Sequence, residues 1–312
     1  MTTTLEERTK VLQINDDKNT TVKTLGITWN ATLDEFQIST KIPDGKKMTK
    51  RIFLSLLSKI FDPLGFISPF IINAKIIMQE IWLKSVDWDD DLEPKMEIKM
   101  REWIKDCEAL KQIKVPRCLI TDSDDKIQVH VFSDASIEAY GAVAYVRNEN
   151  KDGHIIRLIA SKTKVTSLKA ISIPRLELMA ASVGVNLAKI IMSTWKREIT
   201  EVYFWSDSYD VLWWIKQPGK KFKPFIANRV GSIQELTSIN KWRYVPTKEN
   251  PADVLSRGET ARGCLQNKLW WNGPKFLQDN EDKWPKMPQF TDNENKSKIK
   301  CCRFLSMRDK RP

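Results

Sequence analysis

The hydrophobic period of the chain changes after Pro116, and that change limits which folds the second half can adopt. Residues 127–132 (IQVHVF) alternate apolar and polar, the pattern of a strand whose successive side chains face opposite sides of a sheet. Residues 140–146 (YGAVAYV) follow after a short turn, and residues 154–160 (HIIRLIA) read as a third strand. A long helix is predicted from Pro174, a residue suited to the first helical position because an N–H there would lack a partner anyway. Its apolar stripe runs Leu176, Ala180, Val183, Leu187, Ile190. A fourth strand (EVYFW, 201–205) leads through Ser206-Asp207-Ser208 into helical residues 209–216. A helix over about Pro224–Leu236, a strand over Lys241–Val245 and a last helix from about Pro251 complete the pattern. Three strands, helix, strand, helices, strand and helix describe an α/β fold, a mixed sheet flanked by helices.

The first third has another rhythm. Residues 22–40 read as two short strands around a turn at Asn30–Asp34. From Thr49 the spacing of Ile52, Leu56, Leu57 and Ile60 is helical until Asp62-Pro63 interrupts it. A second helix is predicted over Pro69–Leu83 and a third over about Met96–Leu110, with the acidic stretch Val86–Pro94 as the loop between them. The segment after Gly258, rich in Trp, Lys, Asp, Asn and Pro, is expected to be largely extended or disordered. The most apolar run, Phe66 to Met78, is broken by Ser68, Pro69, Asn73 and Lys75 and is too short to span a bilayer, so no membrane partner is expected.

Four acidic residues stand where elements change. Asp134 ends the first alternating strand, Glu177 lies in the first turn of the long helix, Asp207 ends the fourth strand, and Asp253 opens the last helix. If the first and fourth strands are parallel neighbours, Asp134 and Asp207 emerge at the same end of the sheet, where α/β proteins usually place ligands. Glu177 shares its stripe with the small residues Ala181, Gly184 and Ala188, which would let the helix approach the sheet closely. Each carboxylate alone has an ordinary explanation, since Asp and Glu favour helix first turns and Asp favours turns after strands. The four in this order point instead to a cluster neutralised by hard divalent cations, which take oxygen ligands. Two such ions can serve phosphodiester hydrolysis. Asp210, one helical step from Asp207, reads as a solvated surface charge.

A net charge of +11, from 51 Lys and Arg against 40 Asp and Glu, suits a polyanionic partner. The basic residues concentrate usefully in 215–229, where Lys216, Lys220, Lys221, Lys223 and Arg229 interleave with Phe222 and Phe225, just after Trp213 and Trp214. Such a loop could neutralise phosphates while the carboxylates hold metal. Ser136 and Ser208 could meet a ribose hydroxyl, and Arg257 a phosphate. The five cysteines (Cys107, Cys118, Cys264, Cys301, Cys302) form no C-x-x-C pair and are expected to be reduced thiols.

The blocks Ser133-Asp134-Ala135-Ser136 with Tyr140-Gly141-Ala142-Val143, Ile173-Pro174-Arg175-Leu176-Glu177-Leu178, Trp205-Ser206-Asp207-Ser208 and Asn250-Pro251-Ala252-Asp253-Val254-Leu255-Ser256-Arg257-Gly258 resemble the RNase H domains of Bel/Pao-class LTR retrotransposons. Lys59-Ile60-Phe61-Asp62-Pro63-Leu64-Gly65 and Leu269-Trp270-Trp271-Asn272-Gly273-Pro274 are similar to that class too, and the resemblance covers about residues 22–285. It implies a piece of a retrotransposon Pol polyprotein. Residues 1–48 would be a remnant of the reverse-transcriptase palm edge, 49–112 a helical thumb or connection, 113–260 the RNase H-like domain and 261–312 a partly disordered tail.

The implied activity is cleavage of the RNA strand of an RNA–DNA hybrid by Asp134, Glu177, Asp207 and Asp253 holding two Mg²⁺ or Mn²⁺ ions. Other parts of the polyprotein would be partners, in cytoplasmic virus-like particles with the nucleus as a second compartment. A catalytically silent nucleic-acid-binding remnant is the competing expectation. Regions of this class also carry a peptidase label, but an aspartic peptidase needs an Asp-Thr-Gly or Asp-Ser-Gly loop and the sequence has neither. Asp89-Asp90-Asp91 lie in a polar loop, unlike the hairpin aspartates of a polymerase, and the paired His and Cys of an integrase zinc module are absent. Family members commonly carry His near the end of the last strand, where this chain has Tyr244.

Overall fold

The computed structural model describes residues 21–24, 27–38, 47–120, 126–150 and 153–287. Its centre is a five-stranded mixed sheet. Strands β5 (Lys126–Ala135), β6 (Ala139–Asn150) and β7 (Gly153–Val165) form an antiparallel meander, as the alternating runs predict. Strand β8 (Glu201–Ser206) lies beside β5, and β9 (Trp242–Tyr244) beside β8. Both of these pairings are parallel, and the spatial order is β7-β6-β5-β8-β9. Since β5 and β8 are parallel with Ser133 opposite Ser206, Asp134 and Asp207 leave the sheet side by side.

Helices cover both faces. On one face, α4 (Ile173–Thr194), α5 (Tyr209–Lys216) and α6 (Pro224–Leu236) bury Val129, Val131, Ala142, Ala144 and Phe204. The small stripe on α4 has the consequence read from sequence. A Cβ added at Gly184 would stand 3.2 Å from Val131 Cγ1 and 3.4 Å from Ala142 Cβ, so the helix lies close on β5 and β6. This helix is long and apolar enough to cross a membrane by composition, but half of its most apolar stretch is buried within the protein, which accounts for its hydropathy.

The other face presents Phe132, Val143, Tyr145, Ile156, Leu158, Tyr203 and Trp205. Against it pack α1 (Lys50–Ser58), α2 (Ser68–Leu83) and α3 (Pro94–Asp106) together with the C-terminal helices, in one continuous apolar core. Thr49 caps α1 by accepting from the Ile52 N–H. The Asp62 carboxylate fixes the turn that leads into α2, accepting from the Phe66 and Ile67 N–H groups at 2.8 and 2.9 Å. The third helix ends at Asp106 and continues as a 3₁₀ turn over Cys107–Gln112. A second, antiparallel sheet, β1 (Thr21–Thr24), β2 (Ile27–Asn30), β3 (Glu35–Gln37) and β4 (Lys114–Pro116), ties the strands before the helices to the segment after them. Asp89 and Asp91 pair at the surface with Arg51 and Lys47.

One expectation is corrected. Residues 259–287 are not extended but fold as α7 (Asp253–Arg257) ends into α8 (Ala261–Gln266), α9 (Lys268–Asn272) and two 3₁₀ turns. Trp270 and Leu277 are fully buried, while Phe276 and Trp284 pack on Trp205 at ring centroid distances of 4.8 and 5.5 Å. Trp284 also meets His130, a neutral imidazole whose Nδ1 accepts from the Trp205 indole N–H at 3.1 Å. Burial, and then the nearby Arg147, holds that imidazole's pKa well below its ordinary value. Cys107, Cys118 and Cys264 are free thiols. The expectations for residues 1–20 and 288–312, including Cys301 and Cys302, lie outside the described residues.

Candidate active site

Four elements converge at the end of the sheet from which β5 and β8 emerge. Asp134 comes from β5, Asp207 follows β8, Glu177 is the fifth residue of α4 and Asp253 the first of α7. Asp134 is buried, and the other three are half-buried. The charges feel one another. Burial first, then repulsion from Asp207, Asp253 and Glu177, pushes the Asp134 carboxyl up to about 7, with the Ser256 hydroxyl opposing the shift. Burial likewise pushes Glu177 up to about 7, opposed by Ser208 and reinforced by Asp207 and Asp210. Asp207 is also raised by burial, against hydrogen bonds from Thr247 and Asn250.

Each carboxylate has a polar partner that orients it. The Ser256 hydroxyl donates to Asp134 Oδ2 at 2.5 Å, and the Ser208 hydroxyl donates to Glu177 Oε2 at 2.5 Å. Asn250 Nδ2 donates to Asp207 Oδ1 at 3.3 Å and to the Ser133 carbonyl at 3.2 Å, stitching the segment after β9 to the end of β5. Arg257 Nε donates to Asp253 Oδ1 at 2.6 Å. Sequence reasoning named none of the orienting roles of Ser256, Thr247 and Asn250. Ser256 and Asn250 stood in the Asn250–Gly258 block, but only their distance from Asp134 and Asp207 reveals the role.

The donor set is four carboxylates with no thiol or imidazole among them, which fits a hard, oxygen-seeking divalent cation. Their raised pKa values fit it too, because a cation relieves the repulsion that burial intensifies. Among the described residues, however, no three of these side chains stand close enough to hold a metal ion as they are now placed.

The expected nucleic-acid contacts divide. Lys216, Lys220 and Lys221 are exposed on the segment that joins α5 to α6, while Lys223 and Arg229 are half-buried. Arg229 lies 3.6 Å from the Phe225 ring centroid and donates to the Phe225 carbonyl. Ser136 serves the turn between β5 and β6: its hydroxyl accepts from Glu138 N and Ala139 N and donates to the Ser256 carbonyl at 2.6 Å. Ser208 caps α5 and holds Glu177. Arg257 is exposed but engaged with Asp253. Trp214 enters the core, whereas Trp213 stays partly exposed against Phe222. Tyr244, in the position where the resemblance expects His, stacks on Tyr209 with centroids 5.0 Å apart.

A mixed five-stranded sheet of this order, with carboxylates gathered at the shared end of its parallel central strands, defines an RNase H-like protein. The profile of the Pao retrotransposon-like RNaseH-like domain matches residues 49–208, just over half of the chain, and the protein belongs to that family. The match takes in α1–α3 as well as Asp134, Glu177 and Asp207. No curated protein matches the chain by sequence. Among solved structures, the chain is similar to the N-terminal RNase H domain of a Mycobacterium tuberculosis protein fused to maltose-binding protein. That likeness has 17% identity, 43% of this chain, 92% of that chain and TM-score 0.30. Similar, too, is the RNase H1 of Halobacterium salinarum, at 15% identity, 42% of this chain, 95% of that chain and TM-score 0.28. A foamy viral protease-reverse transcriptase in complex with dsDNA is similar at 15% identity, 73% of this chain, 45% of that chain and TM-score 0.27.

Proposed function

We propose that the protein is a metal-dependent ribonuclease H that cleaves the RNA strand of an RNA–DNA hybrid during retrotransposon reverse transcription. The observation that carries the reading is the cluster of Asp134, Glu177, Asp207 and Asp253, delivered by four separate elements, with two of its carboxyls pushed up to about 7. A protein gains no stability from burying like charges together, so a cluster built this way reads as a binding site for cations. Mg²⁺ or Mn²⁺, two ions, would supply activation of a water and stabilisation of the leaving oxygen.

The chain's own residues would do the rest. Asp134 and Asp207, fixed side by side by the β5–β8 register, set the base of the site. Glu177 on α4 and Asp253 on α7 complete it, and Ser208 and Ser256 orient carboxylate oxygens that would hold the ions. Lys216, Lys220 and Lys221 offer phosphate contacts at the surface, with Lys223 and Arg229 behind them. The rest of the retrotransposon polyprotein would supply the hybrid and the remaining steps.

A second reading, a silent nucleic-acid-binding remnant, draws on one observation: Asp253 is paired with Arg257 rather than turned into a three-carboxylate group. One experiment separates the two. The purified chain is given a hybrid labelled on either strand, with and without Mg²⁺. The expected result is cleavage of the RNA strand only, dependent on the ion. Asp207→Asn should lose on the order of 100-fold or more, since even removing a partner that merely orients a metal ligand can cost up to about 100-fold. Binding without cleavage supports the silent remnant, and cleavage that survives Asp207→Asn overturns the metal-site reading.

A further inference from the structure

Helix α7 carries Asp253 and, through Ser256, touches Asp134, yet it is only five residues long. A helix of that length cannot hold itself in water, where nucleation is unfavourable and isolated helices need roughly a dozen residues or more. Its stability must come from its surroundings. Two of its carbonyls are held by β7 and by the β5–β6 turn: Thr163 Oγ1 donates to Leu255 O at 3.3 Å, and Ser136 Oγ donates to Ser256 O at 2.6 Å. Its C-terminal end is held from elsewhere, by α2. Gly258 turns the chain with φ +78°, the Glu259 N–H then donates to the Pro69 carbonyl at 2.8 Å, and Asn73 Nδ2 donates to the Glu259 carbonyl at 2.9 Å. The approach is so close that a Cβ on Gly258 would lie 1.9 Å from Asn73 Oδ1.

We propose that Asn73 on α2 is a positioning residue for Asp253: the helical region that precedes the sheet clamps α7, and with it one side of the acidic site. The part that concerns catalysis rests on the ribonuclease reading above. With its far end pinned at Gly258 and Glu259, a helix of about one and a half turns has little freedom to rotate about its axis. The direction of the Asp253 side chain is therefore set by a contact made nearly two hundred residues earlier in the chain.

The test uses the full chain with Asn73→Asp, which preserves size but replaces the donor facing Glu259 O with an acceptor. Amide exchange at Gly258 and Glu259 should accelerate about tenfold or more, while β5 and β8 exchange at the wild-type rate. Mn²⁺ affinity, read by electron paramagnetic resonance, should fall severalfold, and kcat on a hybrid should fall while KM stays within about twofold. Gly258→Ala tests the same contact from the other side. Its loss of Mn²⁺ affinity should not grow when Asn73→Ala is added, because the two changes act on one contact. Additive losses, or unaltered exchange at Gly258 and Glu259 in Asn73→Asp, would overturn the clamp. A wild-type chain that neither binds Mn²⁺ nor cuts would overturn the ribonuclease reading instead, with exchange still reporting on the clamp.

Discussion

Asp134 is buried, and burial together with its acidic neighbours has pushed its carboxyl up to about 7 even though Ser256 donates to it. A folded value raised above the ordinary 3.8 has a definite sign. Its stabilising contribution is complete below about pH 4 and is lost as the pH rises through about 7, where the folded protein must carry the charge. Glu177, raised from 4.5 to about 7, adds in the same direction. The metal-free protein should therefore melt at a lower temperature at pH 8 than at pH 5. Asp134→Asn should flatten that slope and raise the pH 8 melting temperature by roughly 2–8 °C, since one to a few kcal/mol are recovered. Mg²⁺ should raise the melting temperature of the wild type at pH 8 and leave the variant nearly unmoved. Calorimetric melts across the pH range check this, and a variant that keeps the wild-type slope would show that Asp134 is not the strained group.

Among the elements, the C-terminal helices contribute most beyond what their sequence suggests. Trp270 is fully buried, and its indole N–H donates to the Phe66 carbonyl at 2.8 Å, joining α9 to the start of α2. Tyr145 on β6 adds a second tie by donating to the Trp270 carbonyl at 2.6 Å. Trp270→Ala should cost about 3–5 kcal/mol, the range for large aromatics in a core. An extended tail would predict almost no cost, so chemical denaturation with both proteins decides the matter.

The central strands and long helices were legible because their burial is one-sided and periodic: IQVHVF alternates and α4 repeats its stripe. The segment after Gly258 was not legible, because α8 and α9 are too short to show a period and their apolar residues meet partners far away in the chain. Strand β4 has three residues and exists only because β3 pairs with it. The four carboxylates could be read because they sit at element boundaries. The part that the Ser136 hydroxyl plays in the β5–β6 turn and at α7 could not, because it depends on a contact with Ser256 far along the chain.

At the scale of the whole molecule, helix α5 joins the acidic cluster to the basic segment in the chain. Helix α5 starts two residues after Asp207, runs about 12 Å to Lys216, and is followed after Gln217 and Pro218 by the segment Gly219–Lys221. Contacts there would be to phosphates, because exposed lysines on a short 3₁₀ turn have no rigid pattern with which to read base edges. Affinity for an RNA–DNA hybrid should accordingly fall steeply with salt and vary little with sequence. Neutralising the exposed Lys216, Lys220 and Lys221 together should make the plot of log affinity against log salt shallower, by up to about 0.9 for each phosphate that the protein no longer neutralises on a B-form duplex. Because the carboxylates and their orienting serines are untouched, cleavage under single-turnover saturating conditions should keep its rate and its Mg²⁺ requirement. A slope equal to that of the wild type would place the grip elsewhere on the protein. A slowed saturated rate with an unaltered slope would mean that the lysines support the site itself and not the hold on the duplex.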